Sequence, residues 1–243
     1  MKLLAIESSS RAASCALVTD GTLTGEYFLN CGLTHSQTLM PLIERLCHEA
    51  GPLQAVDRIA VSSGPGSFTG LRIGLASAKA IGSALGVPVA GVSTLLALCY
   101  NLLGFEGICC AALDARRAQI YGALFYLHDG KAQRLTADAA LPLDEMAGQI
   151  TAQAARLGNP QTPVFLVGDG AELCYSAFCR KGLSQARLAP APLRLQRASS
   201  VAYAALEEGG WQAAGDLVPQ YLRLSQAERE LQEKQAASGF RTE

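Results

Sequence analysis

The sequence predicts an α/β fold of two successive lobes, on three observations. An opening meander of strands gives way to alternating helices and strands, a second strand-rich stretch restarts near Leu103 to Gly107, and the apolar content is high enough to core both. Apolar residues make up 49% of the 243 and charged residues 17%, against a usual charged share of ~25%, which excludes a disordered chain and leaves little charge for the surface. Twenty basic and 21 acidic side chains give a net charge of -1 and remove any global electrostatic case for a nucleic-acid or membrane-surface binder.

The elements follow in order. Leu3-Leu4-Ala5-Ile6, Ser14 to Val18 and Thr22 to Leu29 read as strands, the last two joined by the hairpin signal Asp20-Gly21. From His35 to Ala50, apolar residues at Leu39, Leu42, Ile43, Leu46 and Ala50 keep the spacing of one helical face. Asp57 to Ser62 is a strand, Phe68 to Leu85 a second helix, Val87 to Ala90 a short strand, and a third helix starts at Ser93. The order βββαβα, continued by a strand and helix, resembles the RNase H-like half of the actin-like ATPase superfamily, and implies a mixed sheet; function does not follow from fold alone.

The second meander comprises Ile108 to Leu113, Gln119 to Leu127 and Lys131 to Leu135, with His128-Asp129-Gly130 as a turn. Leu143 to Leu157 is helical, Val164 to Val167 a strand and Ala171 to Cys179 a helix. The expected division is a first lobe at residues 1–103, a smaller second lobe at 104–197, and a helix within 198–210, capped by Ser199 or Ser200, packed back on the first. Residues 224–243 read as a polar tail.

The apolar run before Glu7, Leu3 to Ile6, has only four residues, fewer than the ~7 to 15 of a signal-peptide core, and no uncharged run approaches the ~20 of a membrane span. The expectation is a cytoplasmic protein with no membrane partner. Its eight cysteines then read as thiols, and with no C-x-x-C pair and three scattered histidines (His35, His48, His128) a structural zinc site has almost no support.

Ser62-Ser63-Gly64-Pro65-Gly66-Ser67-Phe68-Thr69-Gly70-Leu71-Arg72 follows a strand and opens a helix. Gly64, Gly66 and the cap Ser67 offer an anion or nucleotide contact at a positive helix end. The dinucleotide fingerprint needs glycine where Thr69 stands, however, and a P-loop needs Gly-Lys-Ser/Thr where Gly70-Leu71-Arg72 stands. On spacing alone, a turn that binds nothing is preferred. The helix that follows is apolar nearly all round, so it must be covered nearly all round. Gly74, Ala78 and Gly82 recur every four positions and would admit a close neighbour: the first helix, the second lobe or another chain.

Several stretches together resemble the TsaB (YeaZ-like) family: Ile6-Glu7-Ser8-Ser9-Ser10, His35-Ser36-Gln37-Thr38-Leu39-Met40-Pro41, the Gly64 to Arg72 string, Ala78-Lys79-Ala80, Leu113-Asp114-Ala115-Arg116-Arg117 and Pro219-Gln220-Tyr221-Leu222-Arg223. The likeness covers nearly the whole chain, with Glu7 where such proteins usually carry Asp. It implies two RNase H-like lobes and a non-catalytic subunit for threonylcarbamoyladenosine synthesis on transfer RNA. The implied partners are the catalytic subunit TsaD, bound through helices of the first lobe, and TsaE, with a homodimer when isolated and RNA met only through the complex. The interface expected on those helices is Leu39, Leu42, Ile43 and Leu46 with Leu71, Arg72, Leu75, Ala78, Lys79 and Gly82.

The resemblance also exposes what is missing. Two metal-binding histidines of the catalytic relative correspond to Thr94 and Leu98, so no metal is expected, and no cofactor. Glu7-Ser8-Ser9-Ser10 and Asp114-Ala115-Arg116 lack the glycine of phosphate-binding turns. Asp114 with Arg116 and Arg117 reads as a salt-bridged strand end, His35 as a capping or packing residue, and Arg180, Lys181, Arg187, Arg194 and Arg197 as a solvated acid-free run. The competing readings are an actin-like-fold ATP-dependent enzyme or metallopeptidase acting alone, and a self-associating scaffold.

Overall fold

The computed structural model of the chain describes residues 1–223; the tail expected at 224–243 lies outside them. Lys2–Glu7 (β1), Ala13–Thr19 (β2) and Thr22–Leu29 (β3) form the antiparallel meander. Asp20 and Gly21 both take positive φ, the hairpin geometry that suits right-handed strand twist. Helix α1 (His35–Ala50), β4 (Arg58–Gly64), α2 (Phe68–Leu85), β5 (Val89–Ser93) and α3 (Thr94–Tyr100) follow, and β4 and β5 add in parallel to give the order β3-β2-β1-β4-β5. Strand β5 starts at Val89 and not Val87, because the Val87 amide closes the end of α2 on Gly82 O at 3.0 Å.

The second sheet repeats the scheme with β6 (Gly107–Asp114), β7 (Gln119–His128), β8 (Lys131–Arg134), β9 (Ala139–Pro142), α4 (Leu143–Arg156), β10 (Val164–Val167), α5 (Ala171–Arg180) and β11 (Ala186–Leu188). Its order is β11-β10-β6-β7-β8, with β9 on β7. Strands β9 and β11 were not expected. With four and three residues they are too short for alternation to register, and they form because β7 and β10 offer backbone groups to pair.

Side chains stack these elements in five layers. Helices α1 and α2 cover one face of the first sheet, α4 and α5 the far face of the second, and α3 with α6 (Ala198–Glu208) fills the space between the sheets. Helix α6 is tied to the first sheet, packing on β1, β2, β4 and β5. Neither Ser199 nor Ser200 caps it. Arg197 holds the cap position, and the orphan amides are met from other elements: Ser14 Oγ accepts from the Ala198 amide at 2.6 Å and Glu26 Oε1 from the Ser199 amide at 2.9 Å. A carboxylate there also complements the helix dipole.

Eight of the ten residues expected at a partner interface turn inward. Leu39, Leu42, Ile43 and Leu46 of α1, with Leu71, Leu75, Ala78 and Gly82 of α2, are buried on their own sheet. The small-residue stripe serves that packing: a Cβ on Gly74 would stand 2.3 Å from Ser8 Oγ, and one on Gly82 would stand 2.7 Å from Val89 Cγ1. Lys79 is half-buried, its Nζ donating to Gly215 O and Leu217 O at 3.0 and 3.1 Å. Only Arg72 of the ten is exposed; the outer face of α2 is Thr69, Arg72, Ala76, Ala80 and Ser83, at helical spacing.

Candidate functional site between the lobes

The carboxyl ends of β1, β4, β6 and β10 meet at a cleft of about 990 Å³ between the lobes, the place where open α/β sheets bind ligands. The glycine-rich turn forms one wall, with Gly66 lining the cleft, and the space a side chain would need at Gly64 and Gly66 is taken by the chain's own backbone. Gly64 has φ 127°, and a Cβ there would lie 2.3 Å from Gln220 O; on Gly66 it would lie 2.3 Å from Ser9 O. The Ser67 amide donates to Ser9 O at 2.6 Å, and Ser67 Oγ caps the helix by accepting from the Gly70 amide. Close backbone approach accounts for Gly64 and Gly66 as glycines, and of the three residues expected at an anion contact Gly66 and Ser67 line the cleft while Gly64 is buried.

Beneath the turn, Glu7 is fully buried. Ser9 donates to Glu7 Oε1 from its amide and its hydroxyl, both at 2.6 Å, and Ser62 Oγ donates to Oε2. Burial pushes this carboxyl above its usual range, while the donors of Ser62 and Ser9 pull the other way. It does not reach the cleft. His35 Nε2 lies 2.6 Å from Ser10 O and packs near Gly70, the structural role expected of it.

Across the cleft, Asp169 bridges the lobes. Its Oδ2 accepts from Ser10 Oγ and its Oδ1 from the Asp114 amide at 3.0 Å. Asp169 was missed by sequence reasoning, although Gly168-Asp169-Gly170 at a strand end is a legible signal. Asp114 makes no ion pair with Arg116 or Arg117 among the described residues; its Oδ1 accepts from the Arg116 amide at 2.7 Å and holds a turn in which Arg116, Arg117 and Ala118 all have positive φ. Also missed was the crossing of the cleft by Gln220 to Arg223.

Thr94 and Leu98 are both buried in α3 between the sheets, away from solvent. The basic run is acid-free only in sequence: Lys181 pairs with Asp144, Arg194 with Glu172 and Arg197 with Glu26, at 2.9, 2.8 and 2.7 Å. Cys15, Cys99, Cys109, Cys110 and Cys174 are buried free thiols, and burial lifts Cys15 to about 12.

Among the described residues, one cluster has metal-ligand chemistry, the exposed Glu106, His128 and Asp129. His128 Nδ1 faces Glu106 at 2.9 Å and Nε2 faces Asp129 at 3.1 Å, so each ring nitrogen has its own carboxylate and the arrangement favours the protonated ring. Glu106 foremost, then Asp129, raises the His128 pKa. A raised folded-state value means that the contribution to stability is fully present below the ordinary value, near 6.5, and is lost as pH rises through the folded midpoint. Glu106→Gln is expected to lower the His128 midpoint in an NMR titration; an unmoved midpoint would remove the pairing.

Fold and site together define a class, the two-lobed RNase H-like α/β proteins of actin-like ATPase architecture. Within it, the family model described as tRNA N6-adenosine threonylcarbamoyltransferase matches residues 31–231. The chain is 30% identical to the tRNA threonylcarbamoyladenosine biosynthesis protein TsaB of Bacillus subtilis (strain 168), over 97% of this chain and 100% of that one. YeaZ from Pseudomonas aeruginosa is similar with a TM-score of 0.74 at 30% identity, covering 91% of this chain and 99% of that one. The tRNA N6-adenosine threonylcarbamoyltransferase of Moorella thermoacetica is 29% identical over 65% of this chain and 51% of its own length. The chain belongs to the TsaB (YeaZ-like) family.

Proposed function

We propose that this chain is a non-catalytic subunit in the synthesis of threonylcarbamoyladenosine on transfer RNA, binding and orienting the catalytic subunit TsaD. The observation that carries the reading is the fate of the catalytic positions: Thr94 and Leu98 are sealed in the layer between the sheets, and Glu7 is locked by Ser9 and Ser62 beneath the cleft. No imidazole stands where the catalytic relative is expected to hold its metal.

The partner surface is the outer face of the first helix layer, not the buried faces expected from sequence. Arg72, Ala76 and Ala80 on α2, with Met40 and Pro41 on α1, are exposed, and small residues there let a partner helix approach closely. The first 103 residues carry six basic and six acidic side chains, too few to repel such an approach. The same face would serve a homodimer when TsaD is absent, TsaE would join the assembled pair, and RNA would be met through the complex.

Ala76→Arg and Ala80→Glu test this. Both positions are exposed, so the fold and its unfolding midpoint stay unchanged, while a charge left unpaired in a closed interface weakens TsaD binding by about 100-fold or more. Calorimetric titration with TsaD, paired with an assay of the modified nucleoside, reads both effects. Wild-type affinity in both variants would place the interface elsewhere; lost modification at wild-type affinity would point to a catalytic contribution from this chain.

A further inference from the structure

After α6 the chain runs back along α2 toward the cleft. Gln212 pairs with Val89 on the sheet edge, Ala214 lies over Gly82, and Lys79 gathers the carbonyls of Gly215 and Leu217. Leu217 is the last buried side chain on this path among the described residues. Beyond it, residues 218–223 lie on the surface, with Val218 65% exposed, and are held by a few specific contacts.

Those contacts divide between the lobes. On the first lobe, the Gln220 amide donates to Ser63 O at 2.7 Å, the Tyr221 ring stacks on Phe68 with centroids 4.6 Å apart, and Arg72 Nε donates to the Tyr221 hydroxyl at 3.1 Å. On the second, Arg223 Nη1 donates to Ala115 O at 2.9 Å, and its guanidinium stands 6.0 Å from the centre of the Tyr121 ring. Gln220, Tyr221 and Arg223 thereby line the mouth of the cleft. The acceptor on the far side is presented by the turn of three successive positive-φ residues after Ala115, a conformation that persists only when its surroundings hold it.

We propose that residues 218–223 are a strap across the interlobe cleft, with Arg223 as the latch on the second lobe and Tyr221 as the coupling to α2, so that release of the strap opens the cleft and frees Arg72. The α3 and α6 layer keeps the lobes joined whatever the strap does, so opening costs the strap contacts and the single Ser10 to Asp169 hydrogen bond across the cleft. Losing one contact of this kind shifts a local opening equilibrium by about tenfold. Arg72 carries the state of the strap to the outer face of α2, because its guanidinium lies 3.9 Å over the Phe68 ring that Tyr221 also covers.

Hydrogen exchange on the full chain decides this, comparing wild type with Arg223→Ala, Tyr221→Ala and Arg72→Ala, and with Leu222→Ala as a strap position whose side chain makes no hydrogen bond or ring contact to either lobe among the described residues. The expected result is exchange about tenfold faster in the Gln220 peptide and also in the 115–119 turn of the other lobe for the first three variants, with Leu222→Ala at wild-type rates. Acceleration confined to the strap, with 115–119 unchanged, would overturn the latch, as would Leu222→Ala loosening both segments equally. Should Arg223→Ala lose its far-ultraviolet circular dichroism, Arg223→Lys, which keeps the charge and most of the stem, is read by the same two peptides.

Discussion

Gly82→Arg is expected to unfold the protein, not merely to detach a partner. A Cβ at position 82 would meet Val89 Cγ1 at 2.7 Å and Ala214 Cβ at 3.2 Å, so the first added atom already crowds the sheet edge and the segment that covers it. The guanidinium would then have to be desolvated within the α2 and sheet core or drive the helix off its sheet. Either route costs about 4 kcal/mol or more, a large share of the ~5 to 15 kcal/mol that holds an ordinary domain together. Ala78→Glu follows the same logic, since Ala78 is fully buried among Leu71, Leu75 and Ile81. Urea titration followed by circular dichroism gives the answer, with Ala80→Glu as the exposed control, expected within about 0.5 kcal/mol of wild type. A folded Gly82→Arg with a wild-type midpoint would mean that this face of α2 points outward after all.

How much was legible follows from the same helix. The bounds of α1 and α2 and the three-strand opening were readable because each rests on local periodicity, capping and turn chemistry: the Leu39 to Ala50 spacing, Ser67 as cap, Asp20-Gly21 as hairpin. Which face of α2 is buried was not readable, because Gly74, Ala78 and Gly82 suit a close-packed sheet as well as a close-packed helix, and a helix apolar all round gives periodicity no contrast. The basic run was misjudged for a related reason. Its carboxylates, Asp144, Glu172 and Glu26, come from α4, α5 and β3, and Glu26 lies 171 residues from Arg197. The glycine string was legible as a turn but not in its cause, since the oxygens it approaches belong to Ser9 and Gln220, on opposite ends of the sequence. Local chemistry is written locally; what it packs against is not.

Changing Glu7 separates a buried structural carboxyl from a working one. Glu7→Ala removes the acceptor of Ser62 Oγ and of the Ser9 amide and hydroxyl, and leaves a hole at the end of β1, a loss of about 3 kcal/mol or more. Glu7→Gln keeps the volume and a carbonyl for Ser9, and its amide can donate to the Ser62 hydroxyl, which accepts as readily as it donates. Because burial raises this carboxyl above its usual value near 4.5, the sign of the pH dependence is fixed. Below that usual value the group is neutral whether folded or not, and wild type and Glu7→Gln should be nearly equal. As pH rises through the raised folded-state value the wild type loses stability relative to Glu7→Gln, and above it the deficit is constant. Denaturant titrations of the three proteins at acid and neutral pH read the difference directly. A gap between wild type and Glu7→Gln that does not change with pH would show that Glu7 is not the group that titrates. Glu7→Gln as damaging as Glu7→Ala at neutral pH would show that the donors of Ser9 and Ser62 require the ionised carboxylate, contrary to a group whose neutral form burial favours.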